Sequence, residues 1–381
     1  MGLLFPMLWA MSASRWAAFA MAAAYSMTVV RFLPGLAGNW FGSPALGLLC
    51  WTGVGTASGA FWGLLRPKQS AVLPEACATL AGLLLSLLPP MGALFPGHPV
   101  VCWGFLLPGW GWAGVATMTV VTVIVTTVIG YAKSFRSGAA AAWIVLAAAA
   151  VALSAQGATT APDSGEPPAG IVGIKTAWGG FPAYGSVEVA ERLRRIGNAL
   201  DDAGLKAART VVVPEAIIGL YDESLDNVIE LEVVRRIRRT GQTVVLGADV
   251  RDGDGRFRNI ALVLRPDGSR SIVSARQTTP VAQWRPWSDT MHFPANWLAS
   301  STVTVGDNLQ ARIMFCHEEW MPVLHLLSEA REEQQLVIAV ANLWATQDPL
   351  ASHLQGAHTE GMARLFGRQF ARAVNDGKTL P

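Results

Sequence analysis

Three short segments hold the side chains best suited to chemistry. In Val213-Pro214-Glu215 a carboxylate follows a run of valines and stands on a rigid proline. A carboxylate at such a strand end can serve as a general base, because burial raises its proton affinity towards neutrality. In Phe315-Cys316-His317-Glu318-Glu319-Trp320 a cysteine ends the apolar run 311–315. A sharp turn into a helix there would expose the sulfur and let helix N–H groups favour the thiolate. In Ala341-Asn342-Leu343-Trp344 an asparagine closes another apolar run, where its amide can orient a loop or a substrate. The bland alternatives are a solvated loop acid, a buried core thiol and a turn amide. His317 adjoins Cys316, but adjacent residues on a turn point apart. His353 and His358 are five residues apart rather than four, so no metal site is expected.

Those residues need elements to position them, and the second half of the chain alternates strands and helices. Strands are predicted at 170–176, 210–213, 243–249, 258–265, 271–275, 311–315 and 335–341. Helices are predicted at 187–203, 222–240 and 354–370, from apolar residues at helical spacing such as Val189, Leu193, Ile196 and Leu200. Pro266-Asp267-Gly268 marks a hairpin turn between two of the strands. The pattern is α/β with a hairpin in its middle. No glycine-rich phosphate loop is present, so a nucleotide enzyme is not supported.

The first half differs in kind. Of the 29 Lys and Arg, six lie before residue 158: Arg15, Arg31, Arg66, Lys68, Lys133 and Arg136. Of the 27 Asp and Glu, Glu75 alone does. Nine of the fifteen Trp fall there as well, several near segment ends, as interface anchoring predicts. Apolar stretches at 16–30, 44–65, 71–88, 112–131 and 138–155 predict about five spans in a membrane domain at 1–156. The shorter stretch 100–108 is a sixth span, a re-entrant piece or an interfacial helix. With five spans, every basic residue but Arg31 falls on the cytoplasmic side, which delivers the rest of the chain to the periplasm of a bacterial inner membrane. Residues 157–169 read as a linker, and 170–381 as the α/β domain. A net charge of +2 excludes a typical nucleic-acid binder. Cys50, Cys77 and Cys102 lie in apolar segments as small hydrophobes, and Cys316 has no disulfide partner in the α/β domain.

Together these features resemble the nitrilase (carbon–nitrogen hydrolase) superfamily. Pro214-Glu215 matches its base motif, and Cys316-His317-Glu318 with Met321-Pro322 its nucleophile motif. Asn342-Leu343-Trp344 is similar to its Asn-Asp-x-Trp segment, one residue shorter. Gly367, Arg368, Arg372, Ala373, Asn375 and Gly377 meet its closing pattern. The layout is that of the apolipoprotein N-acyltransferases, with a membrane domain before the hydrolase domain. The segment 276–287 and the short membrane part resemble a plasmid-borne conjugal-transfer branch. The resemblance implies an αββα sandwich, a Glu–Lys–Cys triad without a cofactor, and a part in plasmid transfer. It implies Glu215 as general base and Cys316 as nucleophile, forming an acyl-thioester from an amide or ester. Arg276 holds the lysine position, one residue out of register with Pro280, and would stabilise an oxyanion in its place. Gln283 stands where the acyltransferases have a Glu. Glu318, Asn342 and Trp344 would support the site or touch substrate.

Arg cannot share protons as Lys does, which opens the alternative of a degenerate scaffold acting by binding. Membrane lipid, a lipidated protein and the conjugation machinery are the expected partners, without direct nucleic-acid contact. A transporter reading is weaker, because transport sites need more polar residues than these spans hold.

Overall fold

Valine-rich runs and amphipathic helices sort the chain into two units, seen in a computed structural model that describes residues 2–69, 71–94, 97–132, 169–202, 207–288, 292–306, 308–346 and 348–376. The first unit comprises Met1–Ser164 with Trp320–Val323 and Ala357–Gly367. The second comprises Gly165–Glu319, Leu324–Gly356 and Arg368–Pro381.

In the first unit the helices are α1 (Phe5–Met11), α2 (Arg15–Val29), α3 (Leu33–Phe41), α4 (Pro44–Leu65), α5 (Val72–Leu85), α6 (Met91–Leu94), α7 (Val100–Leu106) and α8 (Gly111–Ala132). The Ser14 and Ser43 side chains accept from Ala17 and Leu46 N–H groups, capping α2 and α4. The helix α4 and residues Gly111–Gly130 of α8 are long and apolar enough to cross a membrane. The pair α2 and α3 also qualifies if it crosses as one span bent by 62°. Such features are compatible with membrane association. Gly59 and Gly63 of α4 lie against the backbone of α2 around Phe19 and Arg15, an approach that larger residues would block. The predicted span 138–155 lies outside the described residues.

One feature of this unit revises the charge count. Arg66, counted among the loop charges, is buried and paired with Glu75 at 2.6 Å. Its guanidinium also lies 5.2 Å from the Trp9 ring centroid, and its carbonyl accepts from Arg15 Nε at 2.8 Å. Arg66 thus neutralises the sole acid of the segment instead of facing solvent.

The second unit is built from two facing sheets. One holds β1 (Ile171–Gly173), β3 (Thr210–Val212), β5 (Thr243–Arg251), β6 (Phe257–Leu264) and β7 (Arg270–Ser274) in that order, with β4 (Leu220–Tyr221) also on β5. The other runs β2 (Lys175–Thr176), β11 (Gln369–Asp376), β10 (Leu336–Leu343), β9 (Leu309–Phe315) and β8 (Thr302–Val305). Alternation along each strand sends residues to two cores. Val212, Val245, Ala261 and Val263 of the first sheet meet Ile313, Phe315, Ile338, Val340 and Ala373 of the second. Val211, Val244, Leu246, Ile260 and Leu262 instead meet α9 (Val187–Leu200) and the helical stretch α10 (residues 226–240) through Leu193, Ile196, Val233 and Ile237. Two further helices are α11 (Pro322–Arg331) and α12 (Pro349–Leu365), of which residues 324–331 and 349–356 belong to this unit. There Arg312 of β9 donates to the His325 carbonyl, and Arg372 of β11 to Ser352. The result is an α/β sandwich of two facing sheets with helices packed outside them.

Two expectations need correction. The predicted strand 170–176 is two strands, β1 and β2, which join different sheets. The predicted last helix 354–370 stops at Leu365, and Gly367 at φ +65° turns the chain into β11. Helix α12 also starts earlier, at Pro349. The hairpin β6–β7 forms as expected, with Asp267 Oδ1 accepting from Ser269 N–H at 2.8 Å.

Candidate active site

Parallel strands end on one edge of such a sandwich, and this edge gathers the polar residues. Glu215 follows β3, Cys316 follows β9, Asn342 lies near the end of β10, and Asn375 pairs with it in register on β11. The next residue after the base, Ala216, takes a left-handed φ of +44°, so the chain turns sharply there. Gly247 of β5 lies directly beneath this turn. A Cβ on it would strike the Pro214 carbonyl and the Glu215 backbone.

Glu215 is buried and accepts from Asn259 Nδ2 at 2.8 Å. Burial and the nearby charge of Asp249 push its proton affinity well above the ordinary carboxylate range, against which a hydrogen bond with Cys316 acts. The Cys316 thiol is pushed well up by burial and by the charge of Glu215. Its Sγ lies 3.5 Å from Gln355 Nε2 and 3.9 Å from the Asn342 carbonyl oxygen. Proton and negative charge are therefore coupled between Glu215 and Cys316: whichever loses the proton disfavours ionisation of the other.

A second layer of bonds holds this pair. Asn342 Nδ2 donates to the Glu215 carbonyl at 3.1 Å, and its Oδ1 accepts from Asn375 at 2.8 Å. Asn375 in turn accepts from Thr176 Oγ1 and Trp178 N–H and donates to the Gly179 carbonyl. Gln355 also donates to the Cys316 carbonyl, and its own oxygen accepts from Arg372 at 3.1 Å. Arg372 is anchored by Glu319 at 3.1 Å. Glu318 accepts from the backbone N–H groups of Arg276, Gln277 and Phe315, tying the segment after β7 to the end of β9.

Arg276, Gln283 and Trp344, singled out from the sequence, are placed less directly, as are the neighbouring tryptophans and Lys175. Arg276 is 2% exposed, but its guanidinium bonds Ser328 Oγ at 2.8 Å and Met314 Sδ at 3.4 Å. Direct donation to an oxyanion at Cys316 is not what these bonds do. Its charge instead favours ionised Glu318, whose burial alone raises its proton affinity. Gln283 is buried within its own loop, its side chain accepting from Thr279 N–H at 3.3 Å. Trp344 packs edge-on to Phe181, 6.5 Å between centroids. Trp297 donates to Gln277 at 3.0 Å, whereas Trp287 is 67% exposed. Lys175 is exposed on β2, away from the lysine's expected place. Three residues escaped the sequence reading: Asp249, Asn259 and Gln355. A polar residue interrupting an otherwise apolar strand was the available signal for the first two.

Fold and site together define an αββα sandwich with a carboxylate and a thiol brought together at strand ends. No family model matches the chain. Along nearly its whole length it is similar to conjugal transfer TraB proteins. It is 28% identical over 382 residues to the Probable conjugal transfer protein TraB of Sinorhizobium fredii, covering 98% of this chain and 91% of that one. It is also 28% identical over 394 residues to the conjugal transfer protein TraB of Agrobacterium fabrum, covering 98% and 86%. Among solved structures it resembles a variant of the Nesterenkonia sp. AN1 amidase at 14% identity and a TM-score of 0.38, over 54% of this chain and 79% of that one. It resembles the carbon–nitrogen hydrolase of Helicobacter pylori G27 at 14% identity and a TM-score of 0.39, over 54% and 72%.

Proposed function

We propose that this protein acts in plasmid conjugal transfer as a membrane-anchored acyl-transferring or amide-cleaving enzyme. The observation that carries the reading is that the strand ends bring Glu215 and Cys316 close enough for each to act on the other's proton affinity. Glu215 takes the thiol proton. The thiolate adds to an ester or amide carbonyl, and the tetrahedral adduct collapses with the leaving group taking the proton back from Glu215. A thioester on Cys316 remains. Water or an amine then attacks it, giving its proton to Glu215, and the thiol is regained. Backbone N–H groups of the turn after Cys316 bond the oxyanion, while Arg276 adds a buried positive charge from behind Glu318.

A scaffold that works by binding is the second reading. The absence of a lysine in the lysine position and the guanidinium bonds of Arg276 favour it. Plasmid-transfer efficiency separates the two when Cys316→Ala is compared with full deletion at matched membrane abundance. The enzyme reading expects the substitution to fall as far as the deletion. Normal transfer by Cys316→Ala with loss in the deletion would establish the scaffold.

The same proposal places the protein in the bacterial inner membrane with five spans and the second unit in the periplasm. Support comes from Arg15, Lys68, Lys133 and Arg136 falling on one side in that arrangement. Alkaline phosphatase fused after residue 381 is expected to be active. An inactive fusion of normal abundance would reverse the orientation.

A further inference from the structure

The sulfur of Cys316 meets a side-chain donor that arrives on a helix. Gln355 is fully buried in α12, with its Nε2 3.5 Å from Sγ, and it also donates to the Cys316 carbonyl. One amide nitrogen carries two N–H bonds, so it can serve both acceptors at once. Its orientation is fixed from the other end. Gln355 Oε1 accepts from Arg372 Nη2 at 3.1 Å. A guanidinium has donors only, so the amide oxygen must face Arg372 and the nitrogen must face the sulfur. Arg372 is held in turn by Glu319 and by Ser352, whose carbonyl and Oγ each accept at 3.0 Å. The next residue of α12 is Gly356, and a Cβ there would stand 3.3 Å from Arg372 Nη1. A glycine is disfavoured inside a helix, and here it leaves room for that guanidinium. The cations nearest in sequence logic are committed elsewhere. Arg276 spends its guanidinium on Ser328 and Met314, and Lys175 is exposed on β2.

We infer that Gln355 is a catalytic residue of the proposed reaction, its Nε2–H donating to the Cys316 thiolate, and that Arg372 and Glu319 are the residues that position it. The inference rests on Glu215 and Cys316 being the reacting pair. When the thiol proton passes to Glu215, the S–H bond gives way to an O–H bond and the negative charge moves from carboxylate to sulfur. The Gln355 N–H then donates to a charged acceptor, a stronger bond than the one it makes to the thiol. The positive charge of Arg372 on the amide oxygen polarises that N–H further. In the thioester the sulfur is neutral, and the charge returns to it when water or an amine displaces it. Gln355 therefore serves both halves of the cycle without giving up a proton. The same bond already opposes the rise in proton affinity that burial imposes on the thiol.

The test is the pH dependence of Cys316 alkylation by iodoacetamide in the full-length protein in detergent, read by peptide mass spectrometry so that Cys50, Cys77 and Cys102 are counted apart. Gln355→Met fills a similar space without a donor. Its rate at neutral pH is expected to fall about three- to tenfold, and its alkaline limb to move up by about one pH unit. Gln355→Glu keeps the acceptor for Arg372, and so the anchor of α12, but puts an acceptor where the donor stood. It is expected to react more slowly still, and it carries the test if Gln355→Met does not fold. A glutamine that only packs gives the opposite sign, because a loosened helix exposes the half-buried thiol and speeds alkylation. A wild-type or faster rate in Gln355→Glu, or in folded Gln355→Met, overturns the inference, and the reacting pair still stands if Glu215→Gln loses the early step of its profile. If Glu215→Gln keeps the wild-type profile, the reacting pair itself fails and takes the inference with it.

Discussion

Replacing Glu329 with leucine is expected to destabilise the second unit by about 3–5 kcal/mol, the usual result of stripping one partner from a buried ion pair. Glu329 is 1% exposed and bridges Arg312 at 3.4 Å and Arg368 at 3.0 Å. Arg312 is fully buried on β9, the strand that delivers Cys316. Burial lowers its proton affinity to about 10, and the charge of Glu329 opposes that fall. Without Glu329 the buried guanidinium keeps the His325 carbonyl and ring nitrogen as hydrogen-bond partners and the charge of Glu332, while the charges of Arg276 and Arg368 repel it. The double substitution Arg312→Met with Glu329→Leu is expected to recover most of the loss. Urea unfolding followed by tryptophan fluorescence reads both variants. A single substitution costing under about 1 kcal/mol would show that water reaches the pair.

The second large effect falls on the site itself. Gly247→Ala is expected to abolish plasmid transfer while costing about 1–3 kcal/mol of stability, as overpacking does. The added methyl has only the Pro214 carbonyl and the Glu215 and Ala216 backbone to displace. That backbone already turns through a left-handed residue, so it cannot yield without moving the carboxylate. The Asn342 bond to the Glu215 carbonyl should break with it. Transfer at the wild-type level by a protein of normal abundance would mean that the base is not held where this account needs it.

Much of this arrangement is legible in the sequence, for a physical reason. Glu215, Cys316 and Asn342 each end a run of β-branched or apolar residues, and strand ends are where a sandwich collects its polar groups. The hairpin at Pro266-Asp267-Gly268 is equally local, since its turn bonds lie within five residues. What escapes depends on distant pairing. Ile171 and Lys175 read as one strand because nothing local shows that the chain passes from one sheet to the other between them. The predicted last helix runs on through Gln369 and Phe370 because nothing local marks them as the start of a strand. Pairing of Gln369–Asp376 with β10 along its whole length draws them into β11. Asn259 becomes a site residue only when β5 and β6 align it with Asp249. Gln355 does so only when α12 lies over β11, where Arg372 turns its amide to the sulfur. The motif match put Arg276 at the lysine position, and side-chain packing then sent its guanidinium to Ser328 and Met314.

The central claim is that Glu215 exchanges a proton with Cys316, and the pH dependence of Cys316 alkylation by iodoacetamide tests it most directly. Both groups have raised proton affinities, so the resting pair is neutral at low pH. As pH rises through the Glu215 titration the pair loses one proton, and a fraction of it carries the charge on sulfur. The wild-type rate should therefore rise early and level off before the thiol's own titration. In Glu215→Gln that early step should vanish, leaving a rate at neutral pH at least about tenfold lower and climbing only in alkali. Removing a neighbouring negative charge without removing a base would do the opposite, because the thiolate would then form more readily. An equal or faster rate in Glu215→Gln at neutral pH would contradict the account.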